Sequence, residues 1–141
     1  MTDAVFDAYD SPIESQCGDC TRCIENCPNG ALTHRGLNSN RCTSYNTIEN
    51  REDVLPQQLD TAGYVFGCDI CQLACPYNKG VGVNVVVDEH REEEIRSLME
   101  ADEQTFRKLT KHSSINRIKY HQWLRNLAHA EKTSVDDYFF G

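Results

Sequence analysis

Residues 17–28 read Cys17-Gly18-Asp19-Cys20-Thr21-Arg22-Cys23-Ile24-Glu25-Asn26-Cys27-Pro28. A second run, Cys68-Asp69-Ile70-Cys71-Gln72-Leu73-Ala74-Cys75-Pro76, repeats the later part of this pattern with one leading cysteine fewer. Cys42 lies between the two runs, and the three segments together contain all eight cysteines of the 141-residue chain. Each run ends in a C-x3-C-P step, in which the proline ends the preceding helical turn. The cysteines are therefore the most informative residues for both fold and function.

The spacing of the first run is typical of bacterial ferredoxins, in which three close thiolates bind one [4Fe–4S] cluster and the fourth cysteine ligates the other cluster. This rule assigns Cys17, Cys20, Cys23 and Cys75 to cluster 1. It assigns Cys27, Cys42, Cys68 and Cys71 to cluster 2. No cysteine is left over, and the exchanged ligands would make the two clusters part of the core.

Three other interpretations compete with two clusters: structural zinc, disulfides, and a single cluster with idle cysteines. Structural zinc normally uses C-x2-C pairs separated by a dozen or more residues, which the first run does not match. The N-terminal residues 1–7 carry acids where a signal peptide carries basic residues. No apolar stretch approaches the roughly 18 residues of a membrane span. We therefore expect a cytoplasmic protein with reduced thiols and no membrane partner.

The predicted fold class is α+β, with a bacterial-ferredoxin-like double [4Fe–4S] core followed by a helical C-terminal segment. We expect an entry segment over residues 1–16, the double-cluster domain over 17–80 and a mainly helical segment over 81–141. Short helical turns are expected over 21–27 and 69–75, and a small hairpin over 31–38.

Further local signals lie outside the cysteine runs. Pro56 is suited to the first position of a short helix over 57–61. The valine-rich residues 81–88 predict either an edge strand or a connecting segment. Apolar residues recur at helical spacing from Glu89 onward, and Asp102 is a candidate N-cap between two helices. Trp123 is expected in the core.

Charge is unevenly distributed along a chain of net charge -8. Acidic residues dominate 88–103, whereas basic residues dominate 104–132. Six of the seven basic residues of this second stretch form a candidate basic face: Arg107, Lys108, Lys111, Arg117, Lys119 and Arg125. They predict either a solvated helix face or a face that contacts RNA phosphates.

The segment Cys42-Thr43-Ser44-Tyr45-Asn46-Thr47-Ile48-Glu49-Asn50 is not ferredoxin-like. Together with Gly67-Cys68-Asp69-Ile70-Cys71-Gln72 and Cys75-Pro76-Tyr77-Asn78, it resembles the epoxyqueuosine reductases, whose motifs are C-I-S-Y-x-T-I-E, G-C-D-x-C-Q and C-P-W-N. The resemblance covers residues 12–80 and continues more loosely over 114–119 and 124–126. Three positions depart from it, where Thr43, Asn46 and Tyr77 replace Ile, Leu and Trp.

This resemblance implies a cobalamin-dependent oxidoreductase that converts epoxyqueuosine to queuosine in the anticodon loop of tRNA. The two clusters would pass electrons from an external donor to cobalamin, whose own chemistry acts on the epoxide. It implies that Ser44, Cys68 and Asp69 lie near the cobalamin. It also favours RNA contacts by Arg117, Lys119 and Arg125.

No catalytic residue is expected in this chain, because the resemblance does not include the family's N-terminal half, which builds most of the cobalamin pocket. We expect that half on a separate or longer chain, and we expect the isolated chain to be inactive. Three functions compete with this one: a free-standing two-cluster ferredoxin, a related cobalamin enzyme such as a reductive dehalogenase, and a zinc-stabilised binding module.

Overall fold

The computed structural model describes residues 4–5, 7–8, 11–80 and 89–132. The helices are α1 (Arg22–Glu25), α2 (Thr43–Ile48), α3 (Ile70–Leu73), α4 (Glu89–Met99), α5 (Glu103–Thr110) and α6 (Tyr120–Ala130). Strands β1 (Leu32–Thr33) and β2 (Gly36–Leu37) form a small sheet. Single 3₁₀ turns occupy Ser39–Arg41, Pro76–Asn78 and Ser114–Arg117. Helices with a small sheet agree with the expected α+β class. The strand or connecting segment expected at 81–88 lies outside the described residues.

The cysteine region is built from short elements, as the sequence predicts. Strands β1 and β2 pair antiparallel with Leu32 opposite Leu37, which confirms the expected hairpin. Strand β2 begins directly after the turn with Gly36 at a φ of 129°, a backbone conformation that favours glycine. Helices α1 and α3 confirm the expected helical turns, and they pack against each other. The two cysteine runs therefore lie side by side.

The helix expected over residues 57–61 is wrong, because the chain forms only a turn there. The Leu59 N–H donates to the Pro56 carbonyl at 3.0 Å. The Asp60 N–H, which a helix would direct to Pro56, donates instead to Oδ1 of Asn29 at 2.8 Å. The Asp60 carboxylate then accepts from the N–H of Ala62, whose φ of 48° turns the chain away. A long-range polar contact overrides the local helix signal.

The helical segment has its own apolar core, formed by Ala101, Phe106, Ile118 and Trp123. The Phe106 ring lies 5.6 Å from the ring of Tyr120 and 5.7 Å from that of Trp123, measured between centroids. The expectation that Trp123 is buried is confirmed. Residues Val65 and Phe66 of the cysteine region pack against the same core.

Helix α5 begins at the predicted cap. The Asp102 carboxylate accepts from the Thr105 N–H at 2.8 Å. Hydrogen bonds from the Thr105 side chain and then from its N–H lower the pKa of Asp102. Helix α4 is less buried than its apolar spacing suggests, since Ile95 and Met99 are more than half exposed. No helix is long and apolar enough to cross a membrane within the described residues 4–5, 7–8, 11–80 and 89–132.

Candidate metal centre

Four cysteines from both runs line one small cavity. The cavity has a volume of about 40 Å³ and is lined by Cys17, Cys20, Cys23, Cys75, Arg22, Pro76 and Tyr77. Its four cysteines are the ones that the sequence assigns to cluster 1. Helix α1 presents Cys23, and the turn before it is closed by the Cys20 N–H, which donates to the Cys17 carbonyl at 2.9 Å.

Tyr77 connects the two sides of this cavity. Its hydroxyl donates to the Gln16 carbonyl at 2.7 Å, so the residue after the Cys75-Pro76 step contacts the residue before Cys17. Sequence analysis singled out Tyr77 only as a departure from the related motif. The structure places it in the wall of the cavity that the four cysteines line.

The second group of cysteines is the one assigned to cluster 2. Burial raises the pKa of the Cys68 thiol, a hydrogen bond from the Ile70 N–H opposes this, and the charges of Cys71, Cys42 and Cys27 raise the pKa further. Burial likewise raises the pKa of Cys71, with further contributions from Cys27 and Cys42. The four thiols therefore lie close enough to influence one another's charge, although they come from three different segments of the chain.

Backbone amides surround these sulfurs. The Ala31 N–H donates to Sγ of Cys27 at 3.2 Å, and N–H groups of the first turn of α3 point at Cys68 and Cys71. Hydrogen bonds of this kind stabilise a thiolate, and they are one means by which a protein tunes the potential of an iron-sulfur cluster. The short helix α3 thus carries Cys71, and its first turn supplies N–H donors to the sulfurs of Cys71 and of the preceding Cys68.

The donor sets suit iron-sulfur clusters. All eight cysteines are free thiols. In the described parts of the chain, no three His, Cys, Asp or Glu side chains approach closely enough to bind one metal ion. A [4Fe–4S] cube places its four thiolates on separate irons, so it needs a more open arrangement than a single tetrahedral ion. Eight soft thiol ligands in two open groups of four meet this requirement.

A buried polar network holds the second group together. The hydroxyl of Thr47, which is fully buried, donates to the Thr43 carbonyl at 2.9 Å and accepts from the Gly67 N–H at 3.0 Å. This contact links the helix that follows Cys42 to the residue that precedes Cys68. Sequence analysis treated Thr47 only as part of a motif, and its role depends on a neighbour 20 residues away.

Asn46 is a second buried member of this network. Its amide donates to the carbonyls of Asn40 and Cys42, at 3.0 and 2.9 Å, and so closes the turn in which Cys42 lies. A leucine, the residue of the related motif, could not make these bonds. The departure at Asn46 is therefore a structural feature of the ligand-bearing segment.

The residues expected near cobalamin lie beside the cysteines that the sequence assigns to cluster 2. Ser44 is half-buried in the first turn of α2, and Asp69 is exposed at the start of α3, next to half-buried Cys68. Tyr64 was missed by sequence analysis. Its hydroxyl interacts with the Asp69 backbone, while burial and the charges of Cys68 and Asp69 raise its pKa.

Arg125 is one of the residues expected to contact RNA, but its guanidinium points into the protein. All five of its N–H donors are used, on the carbonyls of Asn46, Asn50 and Glu52 and on Oδ1 of Asn126. Burial, followed by the charge of Arg51, lowers its pKa. The structure therefore argues against an RNA contact by Arg125, because no donor is left for a phosphate.

The other two residues expected on RNA are more accessible. Lys119 is exposed. Arg117 is also exposed and forms an ion pair with Glu49, while its carbonyl accepts from Arg51 at 3.0 Å. A phosphate could compete with Glu49 for Arg117, because both partners of the ion pair are solvent-accessible.

Comparisons with known proteins agree with this geometry. Residues 16–78 match the family model described as a 4Fe-4S double cluster binding domain. The epoxyqueuosine reductase of Aliivibrio fischeri is 41% identical over 127 residues, which cover 84% of this chain and 34% of that protein. The Escherichia coli epoxyqueuosine reductase is 36% identical, over 84% of this chain and 33% of that protein.

Solved structures give the same result. The epoxyqueuosine reductase of Streptococcus thermophilus superposes with a TM-score of 0.68 at 26% identity, over 86% of this chain and 33% of that one. An epoxyqueuosine reductase with an epoxyqueuosine-modified tRNA-Tyr stem loop superposes with a TM-score of 0.58 at 30% identity, over 89% of this chain and 36% of that one. The chain is therefore a homologue of the epoxyqueuosine reductases, and it spans about a third of the length of the relatives that it matches.

Proposed function

We propose that this chain is the double-[4Fe–4S], electron-delivering portion of an epoxyqueuosine reductase. The observation that carries the proposal is the assembly of two four-cysteine groups, each of which draws ligands from both cysteine runs. Cysteines 17, 20, 23 and 75 would hold cluster 1, and cysteines 27, 42, 68 and 71 would hold cluster 2. Homology to epoxyqueuosine reductases names the reaction that such clusters would serve.

The proposed reaction removes the epoxide oxygen of epoxyqueuosine as water, and it consumes two electrons and two protons. Cobalamin, when bound, supplies the reducing centre that acts on the epoxide. The thiolates of this chain hold the clusters, and their backbone N–H partners stabilise the negative charge on sulfur. Ser44, Cys68 and Asp69 would face the cobalamin, because the segments that carry them also carry the ligands of cluster 2.

The proposed substrate is epoxyqueuosine in tRNA. A related epoxyqueuosine reductase has been crystallised with an epoxyqueuosine-modified tRNA stem loop. On this chain, Lys119 and Arg117 would contact phosphates, since both are exposed and carry positive charge. Arg125 is left out because its donors are satisfied within the chain.

The first test is cluster content after anaerobic reconstitution. We expect about eight irons and eight sulfides per chain, as two cubanes require. Stoichiometric zinc, or a folded protein without inorganic sulfide, would contradict the proposal.

A second test separates a cobalamin reductase from a general electron carrier. The reduced chain is mixed anaerobically with cobalamin, and cluster reoxidation is followed by absorbance. We expect Ser44→Tyr to slow reoxidation by cobalamin but not by a small inorganic oxidant. Thr33→Tyr, in the hairpin, is the matched control and should leave both rates unchanged. Equal rates for Ser44→Tyr and the control would favour a free-standing ferredoxin.

A third test concerns turnover. Cobalamin, a reductant and an epoxyqueuosine-containing RNA are added to the reconstituted chain, and nucleosides are analysed after digestion. We expect no queuosine, because the chain matches only about a third of the relatives' length. Adding the remaining two thirds of a relative should allow product to form. Queuosine formation by the chain alone would refute this expectation.

A further inference from the structure

Helix α6 forms hydrogen bonds to the segments that carry two ligands of the proposed cluster 2. Asn126 is fully buried, and its side-chain amide has two N–H donors. One donates to the Thr47 carbonyl at 2.8 Å, in the helix that follows Cys42. The other donates to the Val65 carbonyl at 2.9 Å, three residues before Cys68. A single side chain therefore bridges the two segments.

Arg125 strengthens this bridge from the neighbouring position. It donates to the carbonyls of Asn46 and Asn50 at 3.2 Å and to that of Glu52, at and beyond the C-terminal end of α2. Carbonyls at a helix C-terminus lack partners within the helix, and Arg125 supplies donors to them. The Asn50 carbonyl also accepts from the Gln122 side-chain amide of the same helix α6, at 3.1 Å. Arg125 also holds Oδ1 of Asn126 at 2.9 Å, which orients the Asn126 amide so that both N–H groups point at their carbonyls.

Both segments that the bridge joins lie next to cysteines assigned to cluster 2. Cys42 is the residue immediately before α2, so a shift of this helix moves its sulfur. Cys68 follows Gly67, whose N–H is held by Thr47. The hydrogen bonds of Arg125 and Asn126 account for all seven of their side-chain N–H donors, and none of them reaches residues 17–23 or 75.

We propose that Asn126, oriented by Arg125, is a positioning residue for cluster 2, which holds Cys42 and Cys68 at the separation that the cluster requires. This inference rests on the proposed function for the presence of the cluster. It goes beyond that function by making one face of the C-terminal helix part of the support of a single cluster. Cluster 1 does not depend on this face.

The test uses the reconstituted full chain and measures iron release to a chelator under anaerobic conditions. In Asn126→Ala, we expect about four of about eight irons to be released at least tenfold faster than in the unchanged chain, because one cubane holds four irons. The other four irons should keep the original rate. The electron paramagnetic resonance signal that changes should be the one that Cys42→Ser alters, which marks it as cluster 2.

Two milder variants test the same role in case Asn126→Ala fails to fold, and a third serves as a control. Asn126→Gln keeps the amide donors and should restore most of the slow release. Arg125→Lys keeps the charge but cannot reach all its acceptors, and it should accelerate the same four irons by a smaller factor. Tyr120→Phe is the matched control on α6, since it removes only the bond to the Ala101 carbonyl. Its iron should be released at the original rate.

The outcomes are distinguishable. If the protein without substitutions assembles no clusters, the proposed function itself is contradicted. If it assembles two clusters and the Asn126 and Arg125 variants release iron at the original rate, the positioning role is overturned. Faster release from cluster 1, or from both clusters equally, also overturns it. If Asn126→Ala does not fold, circular dichroism will reveal this and the Arg125→Lys result decides.

Discussion

Asn29 donates a hydrogen bond from its side-chain amide to the hydroxyl of Thr43, with 2.9 Å between Nδ2 and Oγ1. Asn29 follows Cys27 by two residues, and Thr43 follows Cys42 directly. Both side chains also bond to the Asp60 backbone, since the Asn29 amide and the Thr43 hydroxyl donate to its carbonyl at 2.6 and 2.9 Å. Two proposed cluster ligands are thereby joined through protein contacts as well as through any metal.

We expect Thr43→Val to destabilise the chain even though it preserves the volume of the side chain. Thr43 is buried, and valine would leave the amide of Asn29 and the carbonyl of Asp60 each short of one partner. An unsatisfied buried polar group costs about 1–3 kcal/mol. Denaturant unfolding of the reconstituted protein measures this loss. Thr33→Val, at an exposed hairpin hydroxyl, is the control and should have a much smaller effect.

We expect Cys75→Ala to disrupt cluster 1 although Cys75 belongs to the second cysteine run. Its thiol lines the cavity of Cys17, Cys20 and Cys23. Iron content should fall from about eight to about four, because one cubane is lost. The remaining signal should be the one that Cys42→Ser alters.

The mirror variant is Cys27→Ala, which should remove the cluster 2 signal and leave that of cluster 1. Loss of the cluster nearest in sequence, in both variants, would mean that the ligands are not exchanged between the runs.

We expect Phe106→Ala to unfold the helical segment more readily. Phe106 is 2% exposed and contacts the rings of Tyr120 and Trp123. Truncation of a buried phenylalanine costs about 3–5 kcal/mol through lost burial and a cavity. Thermal unfolding followed by circular dichroism measures this cost. Leu109→Ala on the same helix is the control, since Leu109 is 44% exposed and its loss should cost within about 0.5 kcal/mol.

We expect Lys119→Glu to weaken binding of a tRNA anticodon stem loop and to reduce the slope of log affinity against log salt by about 1. Fluorescence anisotropy at several salt concentrations measures both quantities. Arg35→Glu, in the exposed hairpin turn of the cysteine region, has the same charge change and should have a smaller effect. Equal effects of the two variants would point to general electrostatics rather than to a contact.

Arg117 needs a different design because it already pairs with Glu49. Arg117→Glu alone should weaken RNA binding, and it also breaks the ion pair. The double variant Glu49→Arg with Arg117→Glu restores the pair with the charges reversed. If Arg117 contacts phosphate, the double variant should recover stability without full recovery of RNA affinity. Recovery of both would assign Arg117 a structural role only.

Local signals predicted much of the fold correctly. Proline and glycine positions, helical spacing and the Asp102 cap indicated the hairpin, α1, α3 and the start of α5, all of which are set by contacts within a few residues. The expected helix after Pro56 failed for the opposite reason. There, the Asp60 N–H donates to the side chain of Asn29, which is 31 residues away, and no local sequence pattern indicates this contact.

The site shows the same division. Cysteine spacing alone predicts which four thiols belong to each group, because a short loop can wrap only three corners of one cube and must send its fourth ligand elsewhere. The inward-facing Arg125 could not be predicted, since an arginine on an amphipathic helix usually points to solvent. Its acceptors include the Asn46 carbonyl in the last turn of α2, which is 79 residues away in sequence.

The amino-acid sequence by itself determined the two cysteine groups, the short elements that present them and the relationship to epoxyqueuosine reductases. These features depend on residue identity and close spacing, which can be read directly from one sequence. Only the tertiary structure decided that Asn126 bridges the segments before Cys68 and after Cys42, and that Arg125 is satisfied internally. Hydrogen bonds between segments so far apart require α6 to be packed against the cysteine region, as the shared apolar core packs it, so no local pattern encodes them.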